Sequence, residues 1–126
     1  MPFRGPERHL RDILESINLI NEFIGVMDFP AYQRDEKTRA AVERKIQILT
    51  EAVIRLEAEG PETFPEIDWM GYRGMGNFLR HSYHRVSDEI VWNTVQDDLP
   101  RLKDIVEKAL WSSSTPLPND SPSSDE

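Results

Sequence analysis

The chain has no cysteine. That excludes a disulfide framework, a thiolate zinc site and a thiol nucleophile, and it fits a reducing compartment. No run approaches the roughly 20 apolar residues of a bilayer-spanning helix. The opening Met1-Pro2-Phe3-Arg4-Gly5-Pro6 lacks the apolar stretch of a signal peptide. A soluble, cytoplasmic protein with no membrane partner is the expectation. There is no internal repeat and no clear strand.

Positive charge is also scarce. Lys and Arg number 15 against 23 Asp and Glu, for a net charge of −8. Asp120, Asp125 and Glu126 carry three of those charges, so the rest of the chain still holds −5. Such a surface does not coat nucleic acid non-specifically, because that needs a basic face to release counterions. DNA is therefore not an expected partner. A small basic pocket for one phosphate or a short RNA segment remains compatible. At 126 residues the chain fits one domain that buries its own core.

The remaining absence is local. From Trp69 to Ser87 there is no Asp or Glu, and no other stretch is acid-free for as long. The same stretch concentrates Arg80, His81, His84 and Arg85, with Tyr83 among them. A positive pocket on a negative protein is a site for an anion. Phosphate is the first candidate, since Arg grips its oxygens in a fork and His moves protons near neutral pH.

The periodicity is helical throughout. Leu10, Ile13, Leu14, Ile17, Ile20, Ile24 and Met27 recur at steps of three and four, which predicts a helix over Glu7 to Met27. Pro30 interrupts it, and Phe29 and Tyr32 fall in a short connector. Val42, Ile46, Leu49, Val53 and Leu56 predict a second helix from Asp35 to Glu59, closed by Gly60-Pro61. Asp68 is a candidate N-cap for a third helix that ends near Arg85. Gly71, Gly74 and Gly76 weaken that helix by up to about 1 kcal/mol each, a cost that a close backbone approach would offset. Ser87 is a candidate cap for a short fourth helix with Ile90, Val91 and Val95 facing inward. Asp97-Asp98-Leu99-Pro100 opens a fifth, striped by Leu102, Ile105, Val106 and Ala109. Trp69 and Trp92 are expected to close the bundle. The fold class is thus all-α, an antiparallel bundle of about five helices over residues 1–111. Residues 112–126 are rich in Ser, Pro and acid and read as a disordered tail.

Within the basic stretch, Asn77, Arg80, His81 and His84 share one broad helix face, with Arg85 a turn above His81. Tyr83 lies about 200 degrees from His81 around an ideal helix. It meets His81 only through unwinding or from a second subunit. One reading is a phosphodiester site: His81 transfers a proton, Arg80 clamps the anion, and Asn77 orients the imidazole or a phosphate oxygen. The other is an ordinary solvated helix face with a hydrogen-bonded histidine. A metal at His81 and His84 is disfavoured by Arg80 and Arg85, and no Glu-x-x-His motif occurs. The glycines lack the strand and the Gly-Lys-Ser/Thr of a nucleotide-binding loop. No cofactor is implied.

Five segments in order carry a resemblance: LRDILESINLI, YQRDEKTRAAVERKIQILTEAVIRL, FPEIDW, GMGNFLRHSYHRV and IVWNTVQDDLPRLKDIV. Together, from Arg8 to Leu110, the chain resembles the HepT-like proteins, the minimal toxin branch of the all-helical HEPN superfamily. The resemblance implies a metal-independent endoribonuclease toxin that cuts tRNA or mRNA. Its implied partner is a minimal nucleotidyltransferase antitoxin that blocks it by attaching AMP to the motif tyrosine. The family motif is Arg, four residues, His, one residue, Tyr. It makes His81 the catalytic histidine and Tyr83 the motif tyrosine and AMP acceptor, with Asn77 the polar residue after the motif arginine. In this superfamily two motif helices face each other across a homodimer to form the site. The chain departs from the motif at Gly76, where the arginine belongs. Arg80 and Arg73 are the nearest substitutes, with His84 and Arg85 as supporting basic groups. The departure motivates a second reading, a catalytically degenerate binding module that pairs with the nucleotidyltransferase. A third is a nucleotide-binding regulator with a free ligand in the basic cleft.

Overall fold

The structure is a computed structural model and describes residues 5–81 and 87–114. The described residues form an all-α bundle of six helices: α1 (Gly5–Ile24), α2 (Phe29–Arg34), α3 (Glu36–Glu59), α4 (Trp69–His81), α5 (Asp88–Asn93) and α6 (Leu99–Ser114). None of the helices is long and apolar enough to cross a membrane.

The core is the product of two stripes. Leu10, Ile13, Ile17, Ile20 and Ile24 on α1 face Val42, Ile46, Leu49, Val53 and Leu56 on α3, and all ten are buried. Leu99, Leu102, Val106 and Leu110 of α6 complete the same cluster. Each such side chain contributes on the order of 1.5–3 kcal/mol by leaving water. That burial, rather than helix propensity, fixes the frame on which α4 is laid.

Four expectations are corrected by the described residues. The first helix stops at Ile24 instead of Met27, because Gly25 takes a positive φ of 56° and closes the last turn by donating to Asn21 O at 2.9 Å. The connector with Phe29 and Tyr32 is itself a helix. Asp28 caps it by accepting from Ala31 N at 3.0 Å, and Pro30 sits in its first turn, where a missing N–H costs nothing. The fourth and fifth helices are both present, as α5 and α6, but no loop parts them. A π turn over Thr94–Asp98 joins α5 to α6, with Leu99 N donating to Thr94 O, so Pro100, which has no N–H, is reached without a break. Ile90 points outward and is 48 % exposed, while Val91, Thr94 and Val95 turn inward.

Tyr32 ties α2 to the bundle. It is fully buried, and its ring lies 5.4 Å from Trp92, which also meets Phe29 at 5.8 Å. Burial, then the Glu43 and Asp88 carboxylates, push its phenol well above the ordinary range. Its hydroxyl has no hydrogen-bond partner among the described residues. Arg39 of α3 reaches Asp88 at the start of α5 at 3.6 Å. Trp69 and Trp92 pack partly buried against the core, whereas Trp111 is 69 % exposed.

Candidate functional site

α4 starts on a cap and leans on the core without entering it. Asp68 accepts from Gly71 N at 3.1 Å, and its carboxylate covers Gly71 so closely that a Cβ there would collide. Trp69, Tyr72, Met75 and Leu79 pack partly buried against the core cluster, and the one fully buried residue of the helix is Gly76. A Cβ at Gly76 would lie 3.0 Å from Thr50 Oγ1 and 3.3 Å from Thr50 Cβ on α3. The backbone of α4 therefore rests on Thr50 of α3, and this is the close approach that one of the three glycines was expected to serve. Gly74, in contrast, has open space around it.

Thr50 is buried and donates to Gln47 O at 2.8 Å, so its hydroxyl is satisfied within α3. Glu51, beside it, makes no ion pair with any described residue.

The basic residues separate into two kinds. Arg73 donates to Glu57 of α3, and that hydrogen bond and charge hold its guanidinium above the ordinary range. Its charge is already matched. Arg80 has no carboxylate partner among the described residues. Its Nη2 donates instead to the neutral Asn77 Oδ1 at 2.6 Å, and its Nη1 lies 3.5 Å from the Cβ position of Gly76. Asn77 thus holds the guanidinium, not the imidazole of His81. His81 follows directly and is exposed, as are Arg80 and Asn77. Arg80 and His81 occupy the last turn of α4, where the partial negative charge of the helix end favours cations. Tyr83, His84 and Arg85 lie outside the described residues.

A cavity of about 210 Å³ opens on the neighbouring flank of α4, where Tyr72 and Met75 meet Leu102 and Ile105 of α6. Glu66, Asp68, Asp98 and Arg101 rim it, with Arg101 paired to Asp98 at 3.3 Å, so the two remaining carboxylates leave the rim acidic. Burial and then Asp98 raise the Tyr72 phenol above its usual range. An acidic rim does not suit an anion, and the cavity shares no residue with the Arg80 cluster. No group of three or more His, Cys, Asp or Glu among the described residues is placed to hold a metal ion.

A family model for "Ribonuclease HepT-like" proteins matches residues 13–109, which span all of α2 to α5 and most of α1 and α6. The chain belongs to the HepT-like ribonuclease family. Among its relatives is a protein of Thermococcus cleftensis named "Probable ribonuclease HepT", 36 % identical over 105 residues, covering 83 % of this chain and 96 % of that one. Two Methanocaldococcus jannaschii proteins are similar. "Putative RNase MJ1380" is 33 % identical over 107 residues (85 % of this chain, 98 % of that one). "Putative RNase MJ0127" is 31 % identical over 110 residues (84 % and 91 %). No solved structure matches the chain significantly. Family membership bears on the chain as a whole.

Proposed function

We propose that the protein is a metal-independent endoribonuclease whose site is the C-terminal turn of α4. The observation that carries this reading is the Arg80 guanidinium beside His81, without a carboxylate partner among the described residues, on the one long acid-free stretch of an acidic chain. A ribose 2′-hydroxyl attacks the adjacent phosphorus while His81 acts as general base or acid. The bond from phosphorus to the 5′-oxygen breaks, leaving a 2′,3′-cyclic phosphate and a 5′-hydroxyl. Arg80 neutralises the charge that develops on the phosphorane oxygens, a contribution of roughly 2.7–4 kcal/mol for one such donor. Asn77 orients the guanidinium. His84 and Arg85 add positive potential for the rest of the strand, whereas the Arg73 charge is already matched by Glu57.

The same reading makes the protein a cytoplasmic toxin of a two-gene module. A homodimer brings two α4 ends, each with its Tyr83, around one phosphate. A minimal nucleotidyltransferase antitoxin silences it by transferring AMP to the Tyr83 hydroxyl, with pyrophosphate leaving from ATP. The names of the relatives support the ribonuclease part, and the resemblance in the motif supports the rest. Incubation with tRNA or mRNA in EDTA is expected to give cleavage by the native chain and a rate lowered by about 10²–10⁴-fold in His81→Ala. Equal cleavage by both would end the reading. An adjacent reading frame with a Gly-Ser…Asp-x-Asp signature would support the module.

Gly76 favours a second reading, a binding module without catalysis that pairs with the nucleotidyltransferase. It expects a stable complex with that partner and no cleavage at any protein concentration.

A further inference from the structure

Gly76 does more than let α4 approach α3. Side chains on a helix lean toward its N-terminus, so the Arg80 side chain is directed back over residue 76, one turn earlier. The structure places Arg80 Nη1 at ordinary contact distance, 3.5 Å, from where a Cβ at 76 would stand. Thr50 closes the other side at 3.0 Å. Any side chain longer than a methyl at 76 would therefore compete with the guanidinium for one space. Asn77 Oδ1 then fixes the group from the side at 2.6 Å.

The chemistry of that fixing matters. A carboxylate at 77 would consume the positive charge, as Glu57 does for Arg73. An amide oxygen orients the guanidinium yet leaves its charge and its remaining N–H donors for an anion. The position of an oxyanion donor is worth as much as its presence, because a misplacement of about 1 Å costs on the order of 10²-fold in rate.

We propose that Gly76 and Asn77 form a seat that presets the Arg80 guanidinium as the phosphate-oxygen donor of the site, Gly76 by leaving the space and Asn77 by aiming the group. The glycine is then not a lost function but the condition for an arginine that arrives from one turn further on. This inference rests on the ribonuclease reading for its substrate, an RNA phosphodiester. Asn77 acts through Arg80 and is a positioning residue.

Two measurements on the full-length protein test it separately from cleavage as such. In the first, the side-chain Nε–H resonance of Arg80, identified by its loss in Arg80→Lys, is followed during titration with inorganic phosphate. The native resonance is expected to shift with phosphate. In Asn77→Asp the shift should vanish, because the new carboxylate pairs with the guanidinium. In Asn77→Ala it should require about tenfold more phosphate. In the second, single-turnover cleavage of an RNA oligonucleotide is measured in EDTA. Asn77→Ala should lower the rate by about 10-fold to 10²-fold, with KM changed far less. In Arg80→Ala, guanidinium at sub-denaturing concentration should restore part of the rate, and the restoration should be lost when Asn77→Ala is added. Gly76→Leu, where it folds, should abolish the phosphate shift of Arg80. Where it does not fold, the Asn77 variants decide alone.

Asn77→Ala and Asn77→Asp that bind phosphate and cleave RNA like the native chain would overturn the seat and leave the ribonuclease reading standing. A folded Gly76→Leu that keeps the Arg80 phosphate shift would overturn the part of Gly76. A native chain that cleaves no RNA, yet shows the Arg80 shift and loses it in Asn77→Asp, would overturn the ribonuclease reading and support the seat.

Discussion

Helices α3 and α4 lie against each other and are built in opposite ways. α3 buries seven residues, among them Val42, Ile46, Leu49, Val53 and Leu56. α4 buries one, and that one is a glycine. α3 spends its sequence on the core and sends Glu57 out to neutralise Arg73. α4 touches the core with partly buried side chains and keeps Asn77, Arg80 and His81 in the open. A helix that donates so little to the core is free to carry chemistry, provided that a neighbour holds it. Here the holding is done at Thr50, at the Asp68 cap and by the packing of Trp69, Tyr72, Met75 and Leu79.

Breaking the supporting side should cost stability first. Leu49→Ala removes a fully buried side chain from α3 and is expected to destabilise by about 2–5 kcal/mol. Urea unfolding followed by circular dichroism measures it. A loss below about 1 kcal/mol would mean that α3 is not the frame claimed here.

Breaking the exposed side should cost activity and little stability. Arg80→Ala is expected to lower RNA cleavage by about 10²–10³-fold, while the melting temperature stays close to native, since the residue is exposed. Arg73→Ala should cost far less activity, because the Arg73 charge is already matched by Glu57. Equal losses in the two variants would contradict the separation of the two arginines.

The join between the regions is testable at the cap. Asp68→Ala removes the acceptor of Gly71 N and should destabilise by about 0.5–2 kcal/mol. Because the frayed end is the far end of α4 from His81, cleavage by the folded fraction should change little.

The smallest effect lies on the α3 side. Burial, and then Asp88, raise the Glu43 carboxyl above its ordinary value, against the pull of Arg39. The folded state then holds the Glu43 proton more tightly than the unfolded chain does. Its contribution to stability is full below the unfolded pKa of 4.5 and is lost as pH rises through the folded value. Glu43→Gln should therefore flatten this fall, and the variant should gain on the native chain as pH rises from 4 to 7. A native melting temperature that climbs more steeply than the variant's over that interval would contradict the sign.

The two regions also differed in how plainly they could be read. The α1 and α3 stripes were legible because steps of three and four mark a buried face, and every α3 position named from them is buried. Asp68 and Ser87 were legible as caps from residue type and place, and both accept the expected hydrogen bonds. α2 was not, because a six-residue helix with a proline at its second position carries no periodicity, and the cap at Asp28 was needed to turn Pro30 from an interruption into a start. The π turn left no signal, and Ile90, on the α helix before it, faces outward instead of inward. At the site, residue type alone pointed to Arg80 and His81. What sequence could not give was the partner of each cation. Glu57 stands sixteen residues before Arg73 and meets it only because α3 and α4 pack side by side.

The most direct test is the chemical identity of the RNA ends produced in EDTA by the native chain and by His81→Ala. The account predicts 2′,3′-cyclic phosphate and 5′-hydroxyl ends from the native chain and a rate lowered by about 10²–10⁴-fold in the variant. Fragments ending in 3′-hydroxyl and 5′-phosphate, or equal cleavage by the two proteins, would contradict it.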